Sequence, residues 1–271
     1  MPGTLIVCAT PLGNLGDVSR RLEEALRSAD VIFAEDTRRS RRLTDLLGIE
    51  TPMRSYFAGN ERTRDQELDR LLAEGRTVAL MTDAGTPVVS DPGATAVEAA
   101  RRAGATVTVV PGPSAVTGAL AVSGMSGDRF VFEGFLPKKG RERSERLTEM
   151  QHEPRTIVLF VGPHQLVDDL MSLADTLGGD RPICVVRELT KMHEEIQWTT
   201  VGEALSEWSE RGAKGEYTLV LAGAEPAGHS LDEAVALARR LVNEGHPPSQ
   251  AARQAANELK LPRREIYARL T

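Results

Sequence analysis

At 271 residues with 41% hydrophobic composition, the chain is long enough for a well-packed core and for two domains. A net charge of −6 argues against a general polyanion binder, and 4% aromatic residues argue against a stacking platform for single-stranded RNA as its main device. Any nucleic-acid contact therefore has to come from a local basic patch.

Residues 4–9 form an apolar run that predicts a strand, broken by Thr10-Pro11-Leu12-Gly13-Asn14. Val18, Leu22, Ala25, Leu26 and Ala29 then recur at helical spacing, and 30–34 reads as a second strand. A helix over about 39–47, a short strand at 54–57 and a polar helix over 61–73 follow. The 77–81 strand runs straight into Asp83-Ala84-Gly85-Thr86-Pro87-Val88-Val89-Ser90-Asp91-Pro92-Gly93. After a helix over 94–103, the 106–110 strand runs into Pro111-Gly112-Pro113-Ser114-Ala115 and a helix to about 122. Such alternation predicts βαβ units and a mainly parallel sheet. Strands at 130–135, 156–161, 183–189, 196–201 and 217–221 have fewer helices between them, which predicts a mixed sheet with antiparallel pairs. Beyond 225 the pattern is purely helical, over 231–243, 248–259 and 262–270, with the alanine-rich look of a helix-turn-helix. The expected domains are 1–123, 124–225 and a tail over 226–271.

Three strand ends that break into Pro/Gly loops predict one crevice at the carboxyl edge of a parallel sheet. Glycine and alanine let a ligand approach the main chain, and proline fixes the loop beforehand. Neither a dinucleotide fingerprint nor a P-loop pattern is present. Asp91-Pro92 fits a helix N-cap followed by proline at the first helical position, and Asp36 before Thr37 reads equally as a cap or as a site acid. Cys8 and Cys184 read as small core residues in a reducing compartment. The five histidines show no metal-ligand spacing. No signal-peptide pattern opens the chain, and Pro or Gly interrupts every apolar stretch, so the expectation is a cytoplasmic protein without a membrane span.

The runs Pro11–Asp17, Ala34-Glu35-Asp36-Thr37-Arg38, Asp83–Gly93 and Pro111–Ala115, in this order, resemble the tetrapyrrole methylase superfamily. Glu133-Gly134-Phe135-Leu136-Pro137, Arg187-Glu188-Leu189-Thr190-Lys191, Gly215-Glu216-Tyr217 and the helical tail are similar to its small-subunit ribosomal RNA (cytidine-2′-O)-methyltransferase branch. The resemblance implies an α/β, two-domain class III methyltransferase fold: a parallel-sheet N-domain, a mixed-sheet C-domain and a helical C-terminal tail. It also implies a homodimer, S-adenosylmethionine as cofactor and small-subunit ribosomal RNA, free or assembled, as partner. By the family's pattern Pro11, Ala84, Gly85, Thr86, Val89, Ser114, Ala115, Val161 and Leu189 would contact the cofactor. One departure is Phe160-Val161-Gly162-Pro163-His164-Gln165, where the RNA branch carries an acid and an arginine.

Methyl transfer from a sulfonium needs no metal, only a buried cofactor and an acceptor oxygen held in line behind the methyl. A ribose hydroxyl needs a proton acceptor. The candidates are Glu35, Asp36, Glu61, Asp83, Glu188 and Lys191, with Asp83 first and a desolvated Lys191 second. Two basic clusters are candidate RNA contacts: Arg38, Arg39, Arg41 and Arg42, then Lys138, Lys139 and Arg141 around Gly140. Methylation of a porphyrinoid carbon, and a non-catalytic RNA-binding assembly factor, are the competing readings.

Overall fold

The computed structural model describes residues 2–224, 231–259 and 261–270. The chain divides into two compact units, Met1–Gly223 and Ala224–Thr271.

The first unit opens with β1 (Thr4–Cys8), α1 (Arg20–Ser28), β2 (Val31–Ala34), α2 (Thr37–Leu46), β3 (Met53–Ser55), α3 (Glu61–Ala73), β4 (Thr77–Met81), α4 (Ala94–Arg102) and β5 (Thr106–Val110). Its strands form an all-parallel sheet in the order β3-β2-β4-β1-β5. The central strands are continuous apolar runs because both of their faces are covered. Leu5, Phe33, Val78 and Leu80 pack against Leu68, Leu72, Ala96 and Ala99 on one side. Cys8, Ile32, Ala79 and Met81 pack against Leu22, Leu26 and Leu43 on the other. This alternation with period two settles the register, since a one-residue slip would exchange the two faces.

A second sheet follows from α5 (Ala115–Ser123), β6 (Phe130–Phe135), α6 (Arg141–His152), β7 (Thr156–Val161), α7 (Leu166–Leu177), β8 (Pro182–Arg187), β9 (Glu195–Thr200), α8 (Val201–Arg211) and β10 (Tyr217–Leu221). Its order is β6-β7-β10-β8-β9, parallel between β6 and β7 and antiparallel elsewhere. Side chains of α6, α7 and α8, with Trp208 the largest fully buried one, cover one face. The opposite face receives α5 through Val116 and Ala119, which pack on Val158, Cys184, Val186 and Val220. Helix α5 leaves the first sheet through the Pro111–Ser114 loop and is held on the second, so its packing fixes the gap between the two sheets.

The expected strand over 183–189 ends at Arg187 because Glu188 and Thr190 take left-handed backbone, with φ of 50° and 67°. The helix expected from 39 begins at Thr37, where Asp36 accepts a hydrogen bond from the Arg38 N–H at 2.9 Å as its N-cap. Both cysteines are free and buried, and burial pushes their thiols up to about 12 for Cys8 and about 11 for Cys184, so they are inert core residues.

The second unit consists, in its described residues, of α9 (Leu231–Asn243), α10 (Pro248–Leu259) and α11 (Arg263–Leu270). Its core is built from Ala234, Ala238, Ala251, Ala252, Ala255 and Ala256 around Ile266. Residues 225–230, at the expected start of the tail, lie outside the described residues.

Candidate active site

The loops after β1, β4 and β5 are joined by hydrogen bonds. Thr10 N–H donates to the Gly85 carbonyl at 2.8 Å and Gly85 N–H returns the bond at 3.1 Å. The Thr86 hydroxyl donates to the Pro113 carbonyl at 3.1 Å. Gly85 sits at φ +81°, where a Cβ would also press to 3.2 Å from Leu12, so glycine is required on two counts. From the other sheet, β6 approaches so closely that a Cβ at Gly134 would meet the Ser90 hydroxyl at 3.0 Å.

Between the sheets lies a cleft of about 330 Å³, within the size range of small-molecule sites. Leu12, Ala84 and Ala115 line it from the first three loops, and Phe135, Phe160, Val161 and Gly162 from the second sheet. Its charged lining is Glu35, Asp83, Asp91 and Glu216 with Arg39 as counter-charge, and Thr82, Ser90, Tyr217 and Thr218 add hydroxyls. All four non-glycine residues with left-handed backbone among those described, Val88, Ser90, Glu188 and Thr190, stand in the loops after β4 and β8. Strained backbone of this kind persists where the surroundings over-determine it, as at ligand sites.

The carboxylates are held differently. The Thr82 hydroxyl donates to Glu35 at 2.7 Å. Asp83 accepts from the Asp36 N–H at 3.1 Å and from the Arg39 guanidinium at 3.2 Å. Burial raises the Asp83 pKa; the Asp36 N–H opposes it, Glu35 adds to it, and Arg39 opposes it. Asp91 is pushed up to about 6, first by burial, against a hydrogen bond with Thr82, and further by the charges of Glu35, Asp83 and Glu216. It is not the N-cap that its neighbour Pro92 suggested. Helix α4 starts at Ala94 behind Gly93, whose φ is +130° and whose N–H donates to Glu61 at 3.2 Å.

Of the expected cofactor contacts, Ala84, Ala115 and Val161 line the cleft, as does Asp83. Pro11 is buried in the loop after β1, and Gly85 and Thr86 brace the loops. Ser114 is the N-cap position of α5 without a side-chain cap bond. Val89 and Leu189 pack with the α5 cluster. Lys191 is not a free amine. Its Nζ lies 3.0 Å from Glu188 and 2.7 Å from Glu216, and its stem crosses Gly13, where a Cβ would lie 2.5 Å from Lys191 Cγ. Burial works against its charge, and the two carboxylates outweigh that, so its pKa lies above the ordinary value and it is an ammonium at neutral pH. That makes it a strap between the two sheets' loops and removes it as a general base.

The arginine cluster on α2 is divided. Arg38 pairs with Asp36 at 2.9 Å and Arg39 with Asp83, while Arg41 and Arg42 are exposed without an ion pair among the described residues. Lys138 and Lys139 are exposed, and Arg141 pairs with Glu145 at 2.6 Å. Arg143 anchors this segment from beneath, donating to the Pro137 carbonyl at 2.9 Å and pairing with buried Asp169 at 2.8 Å. No group of His, Cys, Asp and Glu that could hold a metal occurs among the described residues.

A parallel-sheet lobe and a mixed-sheet lobe sharing an acidic cleft at their strand ends define a class III S-adenosylmethionine-dependent methyltransferase. The chain belongs to the family described as Tetrapyrrole (Corrin/Porphyrin) Methylases, whose model matches residues 4–205, and residues 229–271 match the RsmI C-terminal HTH domain. The cleft fits that cofactor by its own chemistry. Carboxylates face a ligand with sulfonium and ammonium charges, and Ala84, Ala115 and Gly162 leave room for it.

Two relatives share the name ribosomal RNA small subunit methyltransferase I. The one from Synechocystis sp. is 44% identical over 98% of this chain and 96% of its own length. The one from Thermotoga maritima is 44% identical over 82% of this chain and 100% of its own length. Among solved structures, the methyltransferase CobJ superposes with a TM-score of 0.64 at 20% identity, over 82% of this chain and 95% of that one. A uroporphyrin-III C-methyltransferase from Thermus thermophilus, complexed with S-adenyl homocysteine, gives 0.58 at 19% identity, over 81% and 97%.

Proposed function

We propose that the chain methylates small-subunit ribosomal RNA with S-adenosylmethionine, and that the acceptor is the 2′-hydroxyl of a cytidine. The observation that carries the reading is the acidic cleft, closed by hydrogen-bonded Pro/Gly loops from one lobe and by Phe160, Val161 and Gly162 from the other. The relatives named for ribosomal RNA, at 42–47% identity, support the substrate class.

When bound, the cofactor supplies an electrophilic methyl group. Ala84, Gly85, Thr86 and Ala115, with Pro11, Val89, Ser114, Val161 and Leu189 behind or beside them, shape the cofactor's bed, and ionised Asp91 attracts its positive charge. Asp83 takes the proton of the incoming hydroxyl. Arg39 and the Asp36 N–H hold its two oxygens, and each keeps a lone pair free. Lys191 positions Glu216 and the loop after β8. Arg38, Arg39, Arg41, Arg42, Lys138, Lys139 and Arg141 meet the RNA backbone.

The lobes correspond in this reading to domains 1–123 and 124–225, with 226–271 as a third. We read the chain as a homodimer, supported by the apolar exposure of edge strand β5 at Val107 and Val109. A cytoplasmic location follows from the substrate; no helix among the described residues is long and apolar enough to cross a membrane.

The test offers labelled S-adenosylmethionine with immature small subunits, naked ribosomal RNA or uroporphyrinogen. Label is expected in RNA, within a dinucleotide that resists alkaline cleavage because its 2′-oxygen is blocked. Label in the tetrapyrrole alone overturns the proposal, and an alkali-labile product overturns the 2′-O assignment.

A further inference from the structure

We propose that the C-terminal helical unit is an RNA-backbone clamp, with its contact residues Arg253 on α10 and Arg263 and Arg264 on α11. The inference rests on the ribosomal RNA reading above and adds a second binding surface to it.

The first observation is the division of each helix into two faces. Helix α10 turns Ala251, Ala252, Ala255 and Ala256 inward and leaves Arg253, Gln254 and Asn257 exposed. Helix α11 buries Ile266 and exposes Arg263, Arg264 and Tyr267. The core is made by apolar side chains, the alanines together with Val235, Leu241 and Ile266. Guanidinium and amide groups, which hold phosphates and base edges, stand on the exposed faces beside Glu258 and Glu265.

The second observation is charge. Residues 224–271 carry seven Lys and Arg against six Asp and Glu, while the rest of the chain carries 26 against 33. A polyanion approaching an acidic protein is steered to the part that does not repel it. In the first unit many arginines are neutralised by neighbouring carboxylates, as Arg27 is by Glu23 and Arg211 by Glu195. In the helical unit Arg269 is taken up by Asp232 at 2.7 Å, whereas Arg253, Arg263 and Arg264 make no ion pair among the described residues. Their charge is available to phosphate without first breaking a pair.

The third observation separates these side chains from the chemistry. None of Arg253, Arg263 and Arg264 is among the residues that line the cleft. Side chains that hold substrate without lining the cleft should act on affinity and leave the chemical step alone.

The test uses the full-length protein carrying Arg253→Ala, Arg263→Ala and Arg264→Ala together, beside the same three positions changed to Lys. Dissociation from naked small-subunit ribosomal RNA is measured across salt concentrations, with cofactor affinity by calorimetry and methyl transfer as kcat and KM. The alanine variant is expected to bind RNA about tenfold more weakly or worse, with a salt slope smaller by about 2–3, one step for each phosphate contact removed. KM rises in parallel, while kcat and cofactor affinity stay unchanged and show that the protein is folded. The lysine variant keeps most of the affinity and slope. An unchanged slope and KM in the alanine variant overturn the clamp. So does a lysine variant as weak as the alanine one, which would point to a shape-specific protein contact. The RNA reading fails separately, if wild-type protein places no label in RNA; the slope still reports on the clamp, because it needs no turnover.

Discussion

Helices α2 and α11 each carry a pair of arginines in the first turn, Arg38-Arg39 and Arg263-Arg264, yet carboxylates from the same chain take up the first pair and none among the described residues takes up the second. In sequence the two pairs look alike. In the fold, Asp36 caps α2 and binds Arg38, and Asp83 reaches Arg39 from the end of β4. A run of cations is thus not yet a cationic surface; that depends on which acids the topology brings beside it. The molecule separates its charges accordingly, with a carboxylate-lined cleft suited to a cationic cofactor and outward arginines suited to RNA. This separation can be broken from either side.

The largest effect should come from the cleft. Gly85→Val asks a β-branched residue to adopt φ +81° against Leu12, at a strain of about 1–3 kcal/mol, and displaces the loop that ties Thr10 to the cleft. We expect cofactor affinity to fall at least about a hundredfold by calorimetry, the consequence of roughly 3 kcal/mol lost from binding, while RNA affinity is retained. Loss of both together would mean that the two sites are not separate.

Asp91→Asn should follow. In the free protein this carboxyl keeps its proton, with a pKa of about 6, in a range where an unfolded chain near 3.8 has lost it. Its contribution to stability is therefore full below the unfolded value and is lost as pH rises through about 6. A cationic ligand favours the ionised form, so cofactor affinity in the wild type should climb between pH 5 and 7. The Asn variant should bind about tenfold more weakly at pH 7, the order expected for a lost charge-assisted contact, with a flat pH profile. A wild-type profile that is itself flat would show that Asp91 does not meet the cofactor's charge.

Much of the fold was legible in the residues. Residues 77–81, 106–110, 130–135, 156–161 and 217–221 are strands at the expected bounds. Three of them, 77–81, 156–161 and 217–221, are mostly buried and therefore mostly apolar; the less buried edge strands 106–110 and 130–135 are legible instead from β-branched and aromatic residues with Pro or Gly close by. The convergence of the loops was legible for the same reason. Local backbone shape and partners distant in sequence were not. Asp-Pro predicts a cap at Asp91, whereas the loop, with left-handed backbone at Val88, Ser90 and Gly93, carries it into the cleft lining. The 25-residue separation of Lys191 from Glu216 hid the pair that makes the lysine an ammonium. Phe135 and Phe160, with ring centroids 5.6 Å apart, line the cleft, although neither is among the expected cofactor contacts. Rings flanking the Pro/Gly loops of an α/β fold are a signal that could have been used.

The smallest effects discriminate best within α2. Replacing Arg41 and Arg42 with alanine should lower the salt slope of RNA binding by about 2, since both guanidinia are free to displace counterions. Arg38→Ala should change the slope by much less than 1, because phosphate has to compete there with Asp36. That carboxylate is held down to about 2 by the Arg38 guanidinium and keeps its charge at any working pH. Equal slopes for Arg38→Ala and Arg41→Ala would show that RNA opens the Asp36 pair on arrival. The pair would then be a site held shut until substrate binds, and the contrast between α2 and α11 would be one of timing and not of availability.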